Sequence, residues 1–302
     1  MKKGTCPHWI SIPLLVGTFA LSLSTALALG WNEIRNLGPG VNTEGDEGGP
    51  QVTYDGGRLL YYSNHVSDCG VGGYDIYVAT GSYDTWQICC EYSCVIPVGT
   101  SADERAPTMT ADYASVYFGS NASGGFGGMD LYVTHHVDAW GPPENLGAPV
   151  NTSGNEEMPY VTPDGSALYF GSDAPGGYGG HDLWISDPVG STPVNLGSVV
   201  NTAANEKGPS LSMDGNILVF SSDRGGNPDI YYSEKVDGEW TPPVNAGPVV
   251  NGSDAETCPS LGPSLELYFR STREGNGDMF IAIPVAVPTR TTTWGAIKEL
   301  YR

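Results

Sequence analysis

The stretch Val150–Ser186, VNTSGNEEMPYVTPDGSALYFGSDAPGGYGGHDLWIS, decides the fold. At its centre Pro163-Asp164-Gly165 is a turn signal, with the glycine supplying a positive φ. Beyond the turn, Leu168 and Phe170 share one side of a pleat and Tyr169 takes the other. Both sides are apolar, so this strand is buried on two faces rather than one. A glycine-rich loop then leads into a third apolar run from Asp182, and a short strand following Glu156-x-x-Pro159 precedes the turn.

The same pattern starts at Val41, Val98, Val150, Val200 and Val250, the last copy being one residue shorter up to its serine. Its prolines are Pro50, Pro107, Pro159, Pro209 and Pro259, at steps of 57, 52, 50 and 50. A period near fifty indicates propeller blades. Leu59, Val116, Leu168, Leu218 and Leu267 form one column, and Tyr61, Phe118, Phe170, Phe220 and Phe269 another on the same side. The outer, fourth strand of each repeat is expected to begin near Trp86, Trp140, Thr192, Trp240 and Trp294, often running into Pro and Asn-Leu-Gly. The segment from Trp31 to Gly38 resembles these outer segments and is surplus, so it is assigned to close the ring by completing the last blade. The expectation is all-β: a single β-propeller over residues 29–302, with five blades of four antiparallel strands and repeats beginning near 41, 98, 150, 200 and 250.

Composition agrees. The 302 residues include 42 Gly and 23 Pro, too many breakers for a helical bundle or coiled coil. Apolar residues at 39% and aromatics at 10% exclude wholesale disorder. The formal net charge of −21 argues against nucleic acid and against docking on anionic lipid. Residues 1–28 read as a secretory signal: Lys2 and Lys3, an apolar run, then Ala26-Leu27-Ala28 before the cleavage point. The alternative is an uncleaved anchor from Ile10 to Leu29. With cleavage, the chain is expected to be exported, periplasmic or extracellular, a monomer, and not inserted in a membrane.

Export permits disulfides. If one forms, it joins Cys69 to a member of the Cys89, Cys90, Cys94 group, which follows closely in the same repeat; Cys258 is expected to be a buried free thiol. The cysteine cluster lacks zinc-site spacing and a neighbouring histidine, and no metal site is assigned to it.

The Asn-Glu-x-x-Pro, Pro-Asp-Gly, Leu-Tyr-Phe-Gly-Ser and Gly-Gly-x-Asp-Leu-Trp elements resemble the WD40-like propeller repeat of the TolB type, over about Trp31 to Val285. The resemblance implies an exported bacterial propeller. It does not imply one function, since that repeat serves many proteins.

Three sets of residues are candidates for function. Glu47, Glu104, Glu156, Glu206 and Glu256 stand three residues before each proline. They could ring the mouth of a central channel and hold a cation such as calcium, or accept backbone hydrogen bonds as structural groups. Asp75, Asp130, Asp182, Asp229 and Asp278 read as turn-capping residues beside the glycine-rich loops. Tyr74, Phe126 and Tyr178, flanked by glycine, are candidates for stacking on sugars or partner side chains. His65, His135, His136 and His181 lack ligand spacing. There is no nucleophile elbow, zinc-protease motif, phosphate loop or dinucleotide fingerprint. The reading is a non-enzymatic binding or scaffold propeller that engages a protein or polysaccharide without a cofactor. The alternative is a carbohydrate-active enzyme, a glycoside hydrolase or lyase, with carboxylates at the channel. Catalysis needs carboxylates in unequal environments, whereas these columns are uniform.

Overall fold

The computed structural model describes residues 29–65, 73–82, 85–88, 98 and 100–285. The signal segment, Cys69, Cys89, Cys90, Cys94 and Trp294 lie outside the described residues. Five antiparallel sheets stand around an axis, and each inner strand packs against the inner strand of the next blade in a closed cycle. Among the described residues there is no helix, hence none long and apolar enough to cross a membrane.

From the axis outward, blade 1 consists of Glu47–Val52, Arg58–Ser63, Asp75–Thr80 and Gln87–Ile88. Blade 2 is Glu104–Met109, Ser115–Ser120, Asp130–His135 and Glu144–Asn145. Blade 3 is Glu156–Val161, Leu168–Ser172, Asp182–Ser186 and Val194–Asn195. Blade 4 is Glu206–Leu211, Ile217–Ser222, Asp229–Val236 and Val244–Asn245. Blade 5 is Glu256–Leu261, Leu267–Ser271 and Asp278–Pro284, completed by Trp31–Asn36 from the other end of the chain. That last pairing runs antiparallel from Trp31↔Pro284 to Asn36↔Phe280, so the Trp31 segment closes the ring.

Two expectations need correction. The inner strand begins at the glutamate and contains the proline rather than following it. Its channel-facing edge has no partner strand, so a residue without an N–H is tolerated there. In blades 2 and 4 the outer strand is not the tryptophan segment. Trp140 bridges His136, and Trp240 pairs with Lys235, as hairpin extensions of the third strand, while the two-residue outer strands lie further on, at the Asn-x-Gly elements. The shortening of repeat five falls in its turn, where Gly262 N–H donates to Glu266 O and Leu265 takes φ +68°.

The residue before each proline is a bulge. Gly49, Ala106, Met158, Gly208 and Cys258 all have φ between +49° and +62°, where the inner ladder shifts register. At Gly49 a Cβ would come within 2.8 Å of the Ala106 backbone, so only glycine fits. These residues and the five prolines surround an axial cavity of about 30 Å³, room for a water or two. Tyr54 reaches across the far end of the axis from blade 1, its hydroxyl donating to Val161 O of blade 3 at 3.0 Å.

The core lies between blades. Tyr61, Phe118, Phe170, Phe220 and Phe269 are at most 1% exposed. Each apolar cluster joins one blade to the next, as where Tyr61 and Tyr77 of blade 1 meet Tyr268, Met279 and Ile281 of blade 5. A blade therefore cannot bury its faces alone.

Trp31 is 5% exposed in the blade 4/5 cluster, and its indole N–H donates to Leu265 O at 3.1 Å. Trp31→Ala should destabilise the protein by roughly 3–5 kcal/mol, and removal of residues 31–36 by more. Denaturant melts test this; a deletion variant that melts with the parent would show that blade 5 holds the ring closed without this strand.

Candidate functional site

Each repeat opens with Val-Asn-Thr-x-x-x-Glu or a variant of it, and each of those residues has a separate task. The valines at 41, 98, 150, 200 and 250 are at most 1% exposed. The asparagines clamp the preceding blade: Asn151 Oδ1 accepts from Leu131 N–H at 2.8 Å and its Nδ2 donates to Leu131 O at 2.9 Å. Asn42, Asn201 and Asn251 do the same with Met279, Leu183 and Ile230. Repeat two has Gly99 in that place.

The five glutamates are at most 1% exposed and lie off the axial cavity, which the bulge residues and prolines line instead. In four blades, Oε2 accepts the threonine backbone N–H at 2.7–3.0 Å and Oε1 accepts its hydroxyl at 2.6–2.8 Å. The serine ending the second strand donates to Oε1 in all five, at 2.7–3.2 Å. In blade 5, Gly252 replaces the threonine, so only its N–H donates, and Arg273 reaches Glu256 at 2.9 Å. Arg224 approaches Glu206 likewise at 3.1 Å. Burial pushes the Glu104 carboxyl up, against the pull of Thr100 and Ser120.

The aspartate column holds loops. Asp130 accepts from Phe126 and Gly127 N–H at 2.6 and 3.1 Å and from Asn145 Nδ2 at 2.9 Å. Asp182 binds Tyr178 N–H and Asn195, and Asp229 and Asp278 receive Asn245 and Asn36. Asp75 is buried at the matching place in blade 1. Cys258 is free and buried, its Sγ 3.9 Å from Met158 Sδ, and burial pushes its thiol up. Among the described residues, no three His, Cys, Asp or Glu side chains converge as a metal site.

The aromatic candidates separate. Phe126 and Tyr178 are 53% and 52% exposed at equivalent places in blades 2 and 3. Tyr74 occupies a different position, immediately before Asp75. Its hydroxyl donates to Asp46 at 2.8 Å, and the Arg105 guanidinium lies 4.0 Å from its ring centroid.

The sequence reading missed the place where the repeats differ. Alternation along the strand turns the residue after each glutamate the opposite way, to the channel mouth. That column reads Gly48, Arg105, Glu157, Lys207, Thr257. Paired with it in register are Tyr62, Gly119, Gly171, Ser221 and Arg270. Asp46 accepts from Arg270 at 2.7 Å. Lys207 Nζ donates to Glu157 Oε1 at 2.8 Å, and His181 Nε2 lies 2.8 Å from the same oxygen. Burial opposes the charge on Glu157, but His181 and Lys207 outweigh it and hold the pKa at about 2. The signal was a column of neutral, cationic and anionic residues embedded in an otherwise regular repeat.

No family model matches the chain, and no curated protein is similar to it. Solved structures are. A protein from Agrobacterium tumefaciens described as a TolB candidate matches with a TM-score of 0.50 at 16% identity, over 81% of this chain and 78% of that one. The fold is a TolB-like β-propeller. The chain spans 54% of a TolB from Acinetobacter baumannii, at 17% identity and TM-score 0.48 over 78% of its own length. An α-L-arabinofuranosidase from Lactobacillus brevis also matches this TolB-like propeller, with a TM-score of 0.53, 13% identity, and 80% and 91% of the two chains covered.

Two predictions follow from these contacts. Glu156 receives only donors, so Glu156→Gln turns an amide toward one of them and should cost about 1–2 kcal/mol; Glu156→Ala leaves all three unmet and should cost roughly 3 kcal/mol or more. Equal melts for parent and both variants would contradict this. Glu157 has a depressed pKa, so its stabilising effect is complete above the unfolded value near 4.5 and is lost as pH falls through about 2. The stability of the parent relative to Glu157→Gln should decline across that window by up to about 3 kcal/mol, and a pH-independent difference would refute the bridge.

Proposed function

We propose that this chain is an exported, monomeric, non-enzymatic binding propeller that engages a protein or polysaccharide at the channel mouth. The supporting observation is the division of labour within each repeat. Columns that hold the fold are nearly uniform, while the column turned to the mouth changes from blade to blade and gathers Arg105, Glu157 and Lys207, with Tyr62, Tyr74 and Arg270 beside it. A binding surface needs such asymmetry; a scaffold does not. Export, to the periplasm or beyond the cell, rests on the charge and apolar pattern of residues 1–28. The reading invokes no cofactor.

The alternative of a carbohydrate-active enzyme has the arabinofuranosidase fold likeness behind it, and fold does not fix chemistry. Glycoside hydrolysis needs one carboxyl that holds its proton near neutrality. Glu157 is held ionised far below that range, Asp46 is tied to Arg270 and Tyr74, and the two carboxyls that burial pushes up, Glu104 and Asp278, are engaged by Thr100 and Ser120 and by Asn36. This favours binding.

The test is retention of envelope and extracellular fractions, and of a polysaccharide panel, on the immobilised protein. A macromolecule retained by the parent and lost with Tyr74→Ala or Lys207→Ala is the expected result. Released oligosaccharide would replace the reading with the enzymatic one.

A further inference from the structure

Beneath the mouth, between blades 1, 2 and 3, lies a cavity of about 40 Å³ lined by Tyr62, Arg105, Gly119, Met129, Glu157 and Met158. Its two charged residues have hydrogen-bonding capacity to spare. Arg105 uses one terminal nitrogen on Asp103 at 3.0 Å, and its guanidinium makes no other hydrogen bond among the described residues. On Glu157, Lys207 and His181 both contact Oε1, which leaves Oε2 open. A fixed donor and a fixed acceptor thus border one small space walled by two methionines and a tyrosine ring.

An anion placed there meets the Glu157 carboxylate, and a cation meets the Arg105 guanidinium. A neutral group that accepts and donates at once satisfies both, as adjacent hydroxyls do. The cavity takes such a pair and no more, so the remainder of the ligand lies on the surface above. The loops of blades 2 and 3 present Phe126 and Tyr178 on the face where the inner strands begin, because Ser120 pairs in register with both Asp130 and Glu104. The loops are fixed: Asp130 and Asp182 hold their N–H groups, and a Cβ on Gly127 or Gly179 would strike the next blade's backbone. Exposed aromatic rings on fixed loops flanking a polar pocket suit a chain of sugar rings.

We infer that the mouth binds a neutral polysaccharide by a vicinal diol, one hydroxyl donating to Glu157 Oε2 and its neighbour accepting from the Arg105 guanidinium, with adjoining sugars on Phe126 and Tyr178. This rests on the binding reading above and narrows its ligand class.

The test is affinity electrophoresis of the full chain in 1,4-linked glucan, mannan and xylan, whose residues keep free 2,3-diols. The comparisons are 1,3-linked glucan, which has no vicinal diol within the chain, and the same 1,4-linked glycans after periodate cleavage and borohydride reduction. At least one 1,4-linked glycan should retard the protein, and neither comparison should. Glu157→Gln and Arg105→Met should each weaken retardation about tenfold or more. Gly119→Ala keeps every ion pair and fills the cavity against Met129, so it should weaken retardation similarly while melting with the parent. Equal retardation by 1,3-linked or periodate-cleaved glycan overturns the diol assignment and leaves polysaccharide binding standing. Retention of a protein alone, lost in the mouth variants, overturns the sugar assignment but not the binding reading. Retention of nothing overturns both.

Discussion

A carboxylate taken fully out of water is costly unless hydrogen bonds or a counter-charge replace its hydration, and this fold buries one glutamate at the head of every blade. Among the described residues, Glu47, Glu104 and Glu156 have no cation in an ion pair with them. There the described compensation is a threonine N–H, a threonine hydroxyl and a serine hydroxyl drawn from two separate segments of the same repeat. The carboxylate thereby ties the segment arriving from the previous blade to the second strand of its own. The backbone N–H of the same glutamate donates to the preceding blade at 2.7–2.8 Å, to the carbonyls of Gly277, Tyr74, Met129, His181 and Pro228 in turn. One residue thus sets both the start of a blade and its spacing from its neighbour. The interblade apolar clusters pack across that spacing.

Because side chains alternate, the neighbour of a structural glutamate is released from structural duty. It faces the mouth, and so does its partner in the second strand. The residue just before the third-strand aspartate gives its carbonyl to the ring and leaves its side chain free to vary: Tyr74, Met129, His181, Pro228, Gly277. These three columns supply the variable surface of the mouth, built on a uniform frame. Arg105 shows how far the mouth departs from the frame. It stacks over a tyrosine of blade 1, pairs with Asp103, and lines a cavity shared with Glu157 of blade 3.

Much of this architecture was legible because a buried strand advertises itself. The Leu-x-Phe columns, the Asp-Gly turns and the fifty-residue period each have one simple physical cause, and Trp31 could be recognised as an outer-strand residue without a blade of its own. Outer strands were legible only in part. Trp140 and Trp240 have strong β character, yet they sit in hairpins, and the real outer ladders are two residues long, fixed by Asn145 and Asn245 bonding to Asp130 and Asp229. Polar side-chain bonding of that kind has no periodicity to detect. The same holds for the clamping asparagines of the Val-Asn-Thr elements. The mouth escaped notice for another reason: its residues are unremarkable singly and gain meaning only when the strand that carries them is known to face the axis.

Charge placement bears on what the mouth can receive. Residues 29–285 contain eight cations, namely Arg35, Arg58, Arg105, Lys207, Arg224, Lys235, Arg270 and Arg273. Arg224 and Arg273 are used inside the frame, on Glu206 and Glu256. Arg105, Lys207 and Arg270 are at the mouth, where each faces an acid: Asp103, Glu157 and Asp46. The mouth is therefore close to locally neutral on a chain whose overall charge is −21. Beyond a Debye length of about 8 Å the remaining acidic surface is screened, but within it a polyanion would be repelled wherever it extended past the mouth. A neutral polymer meets no such opposition. On the proposed reading, the carboxylate excess that argues against nucleic acid and anionic lipid would also act as a filter at the mouth, leaving the paired charges there to work as directional hydrogen-bonding groups rather than as a net field.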